Sequence, residues 1–392
     1  MRSSINPSKA EWAPVLQARA SSSQTTYRFG RAASEVDIDD PEVARWLAEF
    51  LSPWFSTDTP DGAALKVRTT NSGERFSALA RVEAERHPQP LACFRLDRKV
   101  VLCPGWSEPD GSILALDQEF GCYYHVQGNQ VEVISRPQDR PARIGLMRVV
   151  RELAMQRALS RRETLDLHAA AFVFQGRAIL LAGDKNAGKT TLLAHALTSP
   201  HTALMANDRV IVDGGLEARG VPTVVSVRAE TERTFPALGR IFPRCAARFH
   251  QGELDADFRS ASSCRLSVLS FSLAQFARQL NSRLEPSAPV GAILFPEISP
   301  TLSGWSLEPV DPAEAASRLR RNIYGSALDT CTDTIFQRMM GALPSIDDRN
   351  LLVDRLAAAV PMIRCLLGKG AYNESSDGWL KTLPIDDGVA PR

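Results

Sequence analysis

Long hydrophobic runs are missing from this chain. No apolar stretch approaches the ~20 residues a helix needs to cross a bilayer, and Met1-Arg2-Ser3-Ser4-Ile5-Asn6-Pro7 lacks the apolar core of a secretion signal. No membrane partner is expected, and the cytoplasm is the expected location. Charge of one sign is missing too: 46 Lys and Arg stand against 45 Asp and Glu, a net charge of +1. That balance makes no field suited to a polyanion, and no basic run is interleaved with aromatics, so no nucleic-acid partner is expected. The seven cysteines, Cys93, Cys103, Cys122, Cys245, Cys264, Cys331 and Cys365, form neither a CxxC pair nor a zinc spacing. They read as buried small hydrophobes in a reducing compartment. No internal repeat is present.

What remains is an ordinary globular composition. The 392 residues are 44% hydrophobic, enough for two domains or one elaborated domain. Residues 1 to about 35 are rich in Ser, Ala, Arg and Thr without a sustained apolar period, which predicts a disordered or loosely attached segment. An α+β domain is expected over 36–160. It opens with a helix carrying Val43, Trp46, Leu47 and Phe50 on one face. Short runs at 92–96, 99–102, 112–116, 122–126 and 130–134 follow, with Gly128-Asn129 as a hairpin signal, and predict a small antiparallel sheet. Its place ahead of the core makes that sheet a candidate for substrate recognition. An amphipathic helix from about Pro141 to Leu159, with Leu146, Val149, Val150 and Leu153 on its apolar face, closes the domain.

The segment 161–372 carries the chemistry. Gly183-Asp184-Lys185-Asn186-Ala187-Gly188-Lys189-Thr190 fits the phosphate-loop pattern Gly-x4-Gly-Lys-Ser/Thr. Ahead of it, Arg177–Ala182 reads as a buried strand; behind it, Thr190–Leu197 reads as a helix with Leu193 and Leu197 on one face and a stop at Ser199-Pro200. Strand, loop and helix are the context in which such a loop holds a nucleoside triphosphate. Glycines let backbone amides converge on phosphate oxygens, and the helix start adds partial positive charge. Lys189 would reach the β- and γ-phosphates, the Thr190 hydroxyl would meet Mg²⁺, and Thr191 would complete the cradle. Further on, Ala203–Val212 is an apolar strand interrupted by Asn207-Asp208-Arg209. A carboxylate at a strand end makes Asp208 a metal ligand or base candidate, against a plain turn residue. His168, within the apolar run Leu165–Phe172, is either a satisfied core histidine or a proton acceptor one strand ahead of the loop. Helices are predicted from Asp311 to Ile323 and from about Asp347 to a stop ahead of Pro361, and the polar stretch 373–392 reads as a tail.

The order of these pieces, His168-Ala169 in a strand, the loop ending Gly188-Lys189-Thr190, then Ala206-Asn207-Asp208-Arg209-Val210, resembles the catalytic domain of HPr kinase/phosphorylase and its relatives. The resemblance covers about 165–215 well and fades by about 300. It implies an α/β fold: a P-loop nucleotide-binding core of the phosphoenolpyruvate-carboxykinase-like, HPr kinase type, with a small β-rich N-terminal domain and C-terminal helices. It further implies that His168 lies beside the transferred phosphate, that Lys189 and Thr190 hold ATP and Mg²⁺, and that Asp208 is the second acid of the family's pair. Asn207 stands where the family has its first acid. An amide cannot take a proton, so a general-base role would pass to Asp208 or His168, or be lost, and the reverse phosphorolysis loses its support. The Pro-Gly-Arg-Asn loop of the bacterial regulator is missing, which speaks against HPr as the acceptor. The chain also looks like relatives that tailor ribosomally made peptides, such as those of lasso-peptide systems, and the resemblance implies a homo-oligomer. The reading is therefore an ATP- and Mg²⁺-dependent kinase acting on a hydroxyl of a peptide, protein or small metabolite. The alternative is a nucleotide-binding regulator or assembly protein with little or no ATPase activity.

Overall fold

Two large mixed sheets form the computed structural model, which describes residues 23–58, 65–95, 100–139, 142–160, 163–228, 268–324, 334–339 and 346–385. The first sheet takes β1 (Ser23–Phe29), β2 (Ala32–Ile38), β3 (Ser56–Asp58), β4 (Leu65–Asn71), β5 (Gln89–Arg95), β6 (Val100–Ser107), β7 (Ile113–Asp117), β8 (Cys122–Gln127) and β9 (Gln130–Ser135). Their order is β3-β1-β2-β4-β9-β8-β7-β6-β5. Its β5 to β9 half is the antiparallel meander that the turn residues predict. The sheet is larger than that and mixed, because β9 pairs β4, and β4 pairs β2, in parallel.

The expectation of a loose segment up to residue 35 is corrected for the described residues 23–35. β1 and β2 form a hairpin about Gly30, whose φ of 58° suits glycine. Tyr27, Phe29, Val36 and Ile38 are buried, but so are Thr26 and Ser34. Ser34 shares the face of Tyr27 and Val36 while Thr26 is buried on the other face, so the strand period is blurred in hydropathy. Residues 1–22 lie outside the described residues.

Three helices flank this sheet: α1 (Pro41–Leu51), α2 (Gly73–Glu85) and α3 (Ala142–Leu159). Asp40 caps α1, accepting from the N–H groups of Glu42 and Val43, and Pro41 takes the first turn. Trp46, Leu47 and Phe50 turn inward as their spacing predicts. α3 departs from a simple amphipathic helix. Glu152 and Gln156 are buried along with Leu146, Val149, Val150 and Leu153, because α3 lies against β1, β2, β4 and β9 on one side and against β10 of the second sheet on another.

The second sheet holds β10 (Thr164–Leu167), β11 (Ala169–Phe174), β12 (Arg177–Ala182), β13 (Thr202–Ala206), β14 (Val210–Asp213) and β15 (Glu217–Gly220). After the two-stranded pair β16 (Val225–Arg228) and β17 (Val268–Phe271), it adds β18 (Arg283–Leu284), β19 (Ser287–Ile298), β20 (Trp305–Pro309) and β21 (Met362–Leu367). β12, β19 and β21 run parallel, so their C-terminal ends share one edge. The helices here are α4 (Lys189–Ala196), α5 (Leu273–Gln279), α6 (Pro312–Arg321), α7 (Ile346–Ala359) and α8 (Ser376–Leu380).

Both faces of this sheet are covered, which explains its unbroken apolar runs. Ala170, Phe172, Ile179 and Leu181 share one core with Leu192 and Leu193 of α4, while Ala169, Ala171, Leu180 and Ala182 share another with α6 and α7. The first of these cores continues into the N-terminal sheet. Where the halves meet, Trp54 Nε1 donates to the Met205 carbonyl at 2.7 Å. A Cβ on Gly220 would stand 2.1 Å from that same oxygen, so the junction requires glycine there.

The polar stretch after 373 is also not a free tail as far as residue 385. Ser375 caps α8, and Trp379 and Leu380 are buried. Trp379 Nε1 donates to His195 Nδ1 at 3.3 Å, and His195 Nε2 meets the Glu374 carbonyl at 2.9 Å. Burial pushes the His195 pKa down, which suits a neutral ring with Nε2 as donor. One tryptophan anchors a segment whose average composition is polar; residues 386–392 lie outside the described residues. Cys93, Cys103, Cys122 and Cys365 are buried free thiols, whereas Cys245, Cys264 and Cys331 lie outside the described residues. No helix among the described residues is long and apolar enough to cross a membrane.

Candidate functional site

The phosphate-loop sequence occupies the turn from β12 into α4. Asp184, Lys185 and Asn186 form its exposed tip, while Ala187 and Gly188 are half-buried. Gly188 takes φ 96° immediately before α4, and Asn186 takes φ 71°, which asparagine tolerates better than most side chains. No side chain caps α4. The first N–H groups of any helix lack intrahelical acceptors, so the start at Lys189, Thr190 and Thr191 is a concentration of donors and positive dipole. Lys189 is buried, and its Nζ donates to the carbonyls of Gly183 at 2.5 Å and Asp184 at 3.2 Å. The ammonium thus folds back across the loop it follows.

The turn between β13 and β14 sends three consecutive side chains to three places. Asn207 is buried and its Oδ1 accepts from the Thr190 hydroxyl at 3.3 Å. Asp208 turns the other way, its Oδ1 lying 3.1 Å from His168 Nε2. Arg209 enters the core, where its Nε donates to both Asp166 oxygens at 2.9 and 3.0 Å. Burial alone would lower the Arg209 pKa, but the Asp166 carboxylate outweighs it and raises it instead.

His168 does not sit inside one continuous strand. The run Leu165–Phe172 divides at this residue, because β10 pairs β14 while β11 pairs β12 and β13. The freed backbone N–H of His168 donates to the Asn322 carbonyl at 2.8 Å. The break turns the histidine toward the Asp208 carboxylate, with its side chain 15% exposed against 41% for Asp208.

Loop, Thr190, Asn207, Asp208 and His168 therefore gather at one end of the sheet. No protein-family model matches the chain, and no curated protein matches it. The site is read from its own chemistry.

Asn322 escaped the sequence reading. It ends α6; its Oδ1 accepts from the Gly183 N–H at 3.0 Å, and its Nδ2 donates to the Arg318 carbonyl at 2.9 Å. A single residue thus pins the start of the loop and the backbone of His168. An asparagine closing a basic last turn marks a helix end, but nothing local says that it reaches a loop 139 residues away.

Proposed function

We propose that this chain binds a nucleoside triphosphate with Mg²⁺ on the Gly183–Thr191 turn and transfers its γ-phosphoryl group to a hydroxyl of a peptide, protein or small metabolite. The observation that carries the reading is the convergence of an uncapped helix start with the His168–Asp208 pair. Donors for phosphate and a proton acceptor stand at the same edge of one sheet. On this reading the core is of the HPr kinase type, as the order of motifs implies, and four buried free thiols suit the cytoplasm.

The chain's own groups divide the work. Backbone amides at the α4 start and Lys189 neutralise phosphate oxygens, which costs no rearrangement at the moment of reaction. The acceptor oxygen forms a bond to the γ-phosphorus while the bridging P–O bond breaks, and ADP leaves with that electron pair. The hydroxyl proton passes to the His168–Asp208 pair, whose carboxylate orients the imidazole. Among the described residues no group of three or more His, Cys, Asp or Glu side chains is placed to hold a metal. The Thr190 hydroxyl, the Asn207 amide oxygen and the nearby Asp208 carboxylate instead suit an ion that keeps phosphate and water ligands. Mg²⁺ there would supply charge neutralisation of the phosphates.

The second reading, a nucleotide-binding regulator, is favoured by Asn207, an amide where an acid would serve as base. Calorimetry with MgATP tests the shared premise: binding is expected for the wild type and lost in Lys189→Ala with its circular dichroism retained. Absence of binding to the wild type overturns both readings. Incubation with γ-labelled ATP and candidate acceptors then separates them, since label on an acceptor supports the kinase and binding without transfer supports the regulator.

A further inference from the structure

Beside the His168–Asp208 pair lies a polar cluster that phosphoryl transfer, as drawn above, does not use. Arg95 from β5, Arg349 from α7, Arg209, Asp166, Gln156 and Tyr324 line a small cleft of about 30 Å³. Arg151 and Glu152 of α3 adjoin it: Glu152 lies 3.9 Å from Arg209, and Arg151 feels the charge of Arg209. Arg95, Arg209 and Arg349 thus bring three guanidinium groups to a cleft whose described lining carries the carboxylate of Asp166, with Arg151 and Glu152 beside it and the Asp208 charge felt at Tyr324. Asp166 is already taken by Arg209.

The electrostatics register that crowding of guanidinium groups. Burial and then Arg209 push the Arg151 pKa down to about 10, and burial and then Arg95 lower that of Arg349. The Nε atoms of Arg151 and Arg349 are buried without a hydrogen-bond partner among the described residues. A buried donor of a charged group left unmatched is costly, and an anion in the cleft would offset that cost at Arg349, which lines it; Arg151 already donates through Nη1 to the Pro222 carbonyl at 3.1 Å.

We infer that this cleft binds a compact oxyanion, a carboxylate or a phosphate, carried by the acceptor whose hydroxyl reacts at His168 and Asp208. The space suits the end group of a molecule and not a whole ligand. Arginine forks match a planar carboxylate or a phosphate face. Asp166 and His168 are two residues apart, on the order of 7 Å along a strand. The Tyr324 ring lies between, its centroid 6.3 Å from that of His168 and 3.9 Å from the Arg209 guanidinium carbon. A hydroxyl a few bonds from the anionic group spans that interval. The acceptor role rests on the kinase reading; the anion site does not.

Titration calorimetry of malonate and of orthophosphate into the Lys189→Ala protein tests the site with the phosphate loop disabled. At least one anion is expected to bind, and which one binds distinguishes a carboxylate from a phosphate. Adding Arg349→Gln should weaken that binding at least tenfold, with Arg349→Lys recovering part of it. Arg95→Gln serves the same purpose should Arg349→Gln melt. Failure of both anions to bind, or affinities unmoved by either substitution, overturns the inference, the latter being the mark of an adventitious ion. Arg349→Gln in the otherwise wild-type chain should keep MgATP binding. Anion binding without any MgATP binding to the wild type would sink the kinase reading alone.

Discussion

Two clusters of buried charge are put together differently in the two sheets. In the N-terminal sheet Glu132 is closed on all sides: Arg75 at 2.6 Å, Arg68 at 3.1 Å, the Thr70 hydroxyl at 2.6 Å and His125 Nδ1 at 3.7 Å. Burial pushes its carboxyl up, yet His125, Thr70 and the two arginines together hold it down to about 2. At the second sheet, among the described residues, the α4 start has no side-chain cap and the Nε atoms of Arg151 and Arg349 have no acceptor. The first arrangement is finished by the chain itself and ties β4, β8 and β9 to α2. The second is left open among the described residues. Desolvated donors that stay unmatched oppose folding, so on the proposed reading a bound anion would offset the cost of those beside the Arg349 cleft.

The largest test of that contrast is Asp208→Asn. The amide keeps the shape but accepts no proton and removes a charge from beside the ion, so transfer should fall by about 10² to 10⁴ while MgATP affinity falls far less. Single-turnover label transfer, or ATP hydrolysis where no acceptor is labelled, reads the effect. Undiminished turnover would move the chemistry away from the His168–Asp208 pair.

Sequence alone reads one of these regions better than the other, and for physical reasons. The glycine loop between β12 and α4 is legible because its parts are local: a strand, glycines at set spacings and a helix, all within 20 or so residues. The two strands around Asn207-Asp208-Arg209, the meander and the helices α6 and α7 follow from period and punctuation in the same way. β1 and β2 are hidden because Ser34 sits on the apolar face beside Tyr27 while Thr26 is buried on the opposite face, which blurs the period. The break at His168 is hidden because the run stays apolar across it, and only the sheet neighbours change. The Asp166–Arg209 pair, 43 residues apart, and the Asn322–Gly183 contact leave no local trace. Hydropathy likewise does not separate α3 from an amphipathic surface helix, since its second side is covered by a sheet that comes later in the chain.

A middle-sized effect tests the closed cluster. Its folded pKa of about 2 lies below the ordinary 4.5, so Glu132 adds stability that is present above about pH 4.5 and lost as the pH falls toward 2. At 1.36 kcal/mol per unit this amounts to about 3 kcal/mol. Glu132→Gln should lower denaturant stability near pH 7 by about that much and flatten the acid limb, with MgATP affinity unchanged. A loss of MgATP binding in the folded variant would mean that the N-terminal cluster is part of the site, and the two regions would no longer differ in kind.

The smallest effect concerns the peg between helix and loop. Asn322→Ala removes the acceptor for the Gly183 N–H and the donor to the Arg318 carbonyl, while the backbone contact with His168 stays. One such hydrogen bond contributes about 1 kcal/mol, so MgATP affinity should fall by roughly fivefold. Asn322→Asp separates positioning from charge. The aspartate keeps an acceptor for Gly183 but places a negative charge beside the loop that is to hold phosphates, and it cannot donate to Arg318. Weaker MgATP binding in the aspartate than in the alanine variant is expected on that ground, with the gap narrowing at high salt. Equal affinities for all three proteins would show that the loop holds its shape without the peg, and that its open donors are set by Gly188 and the α4 start alone.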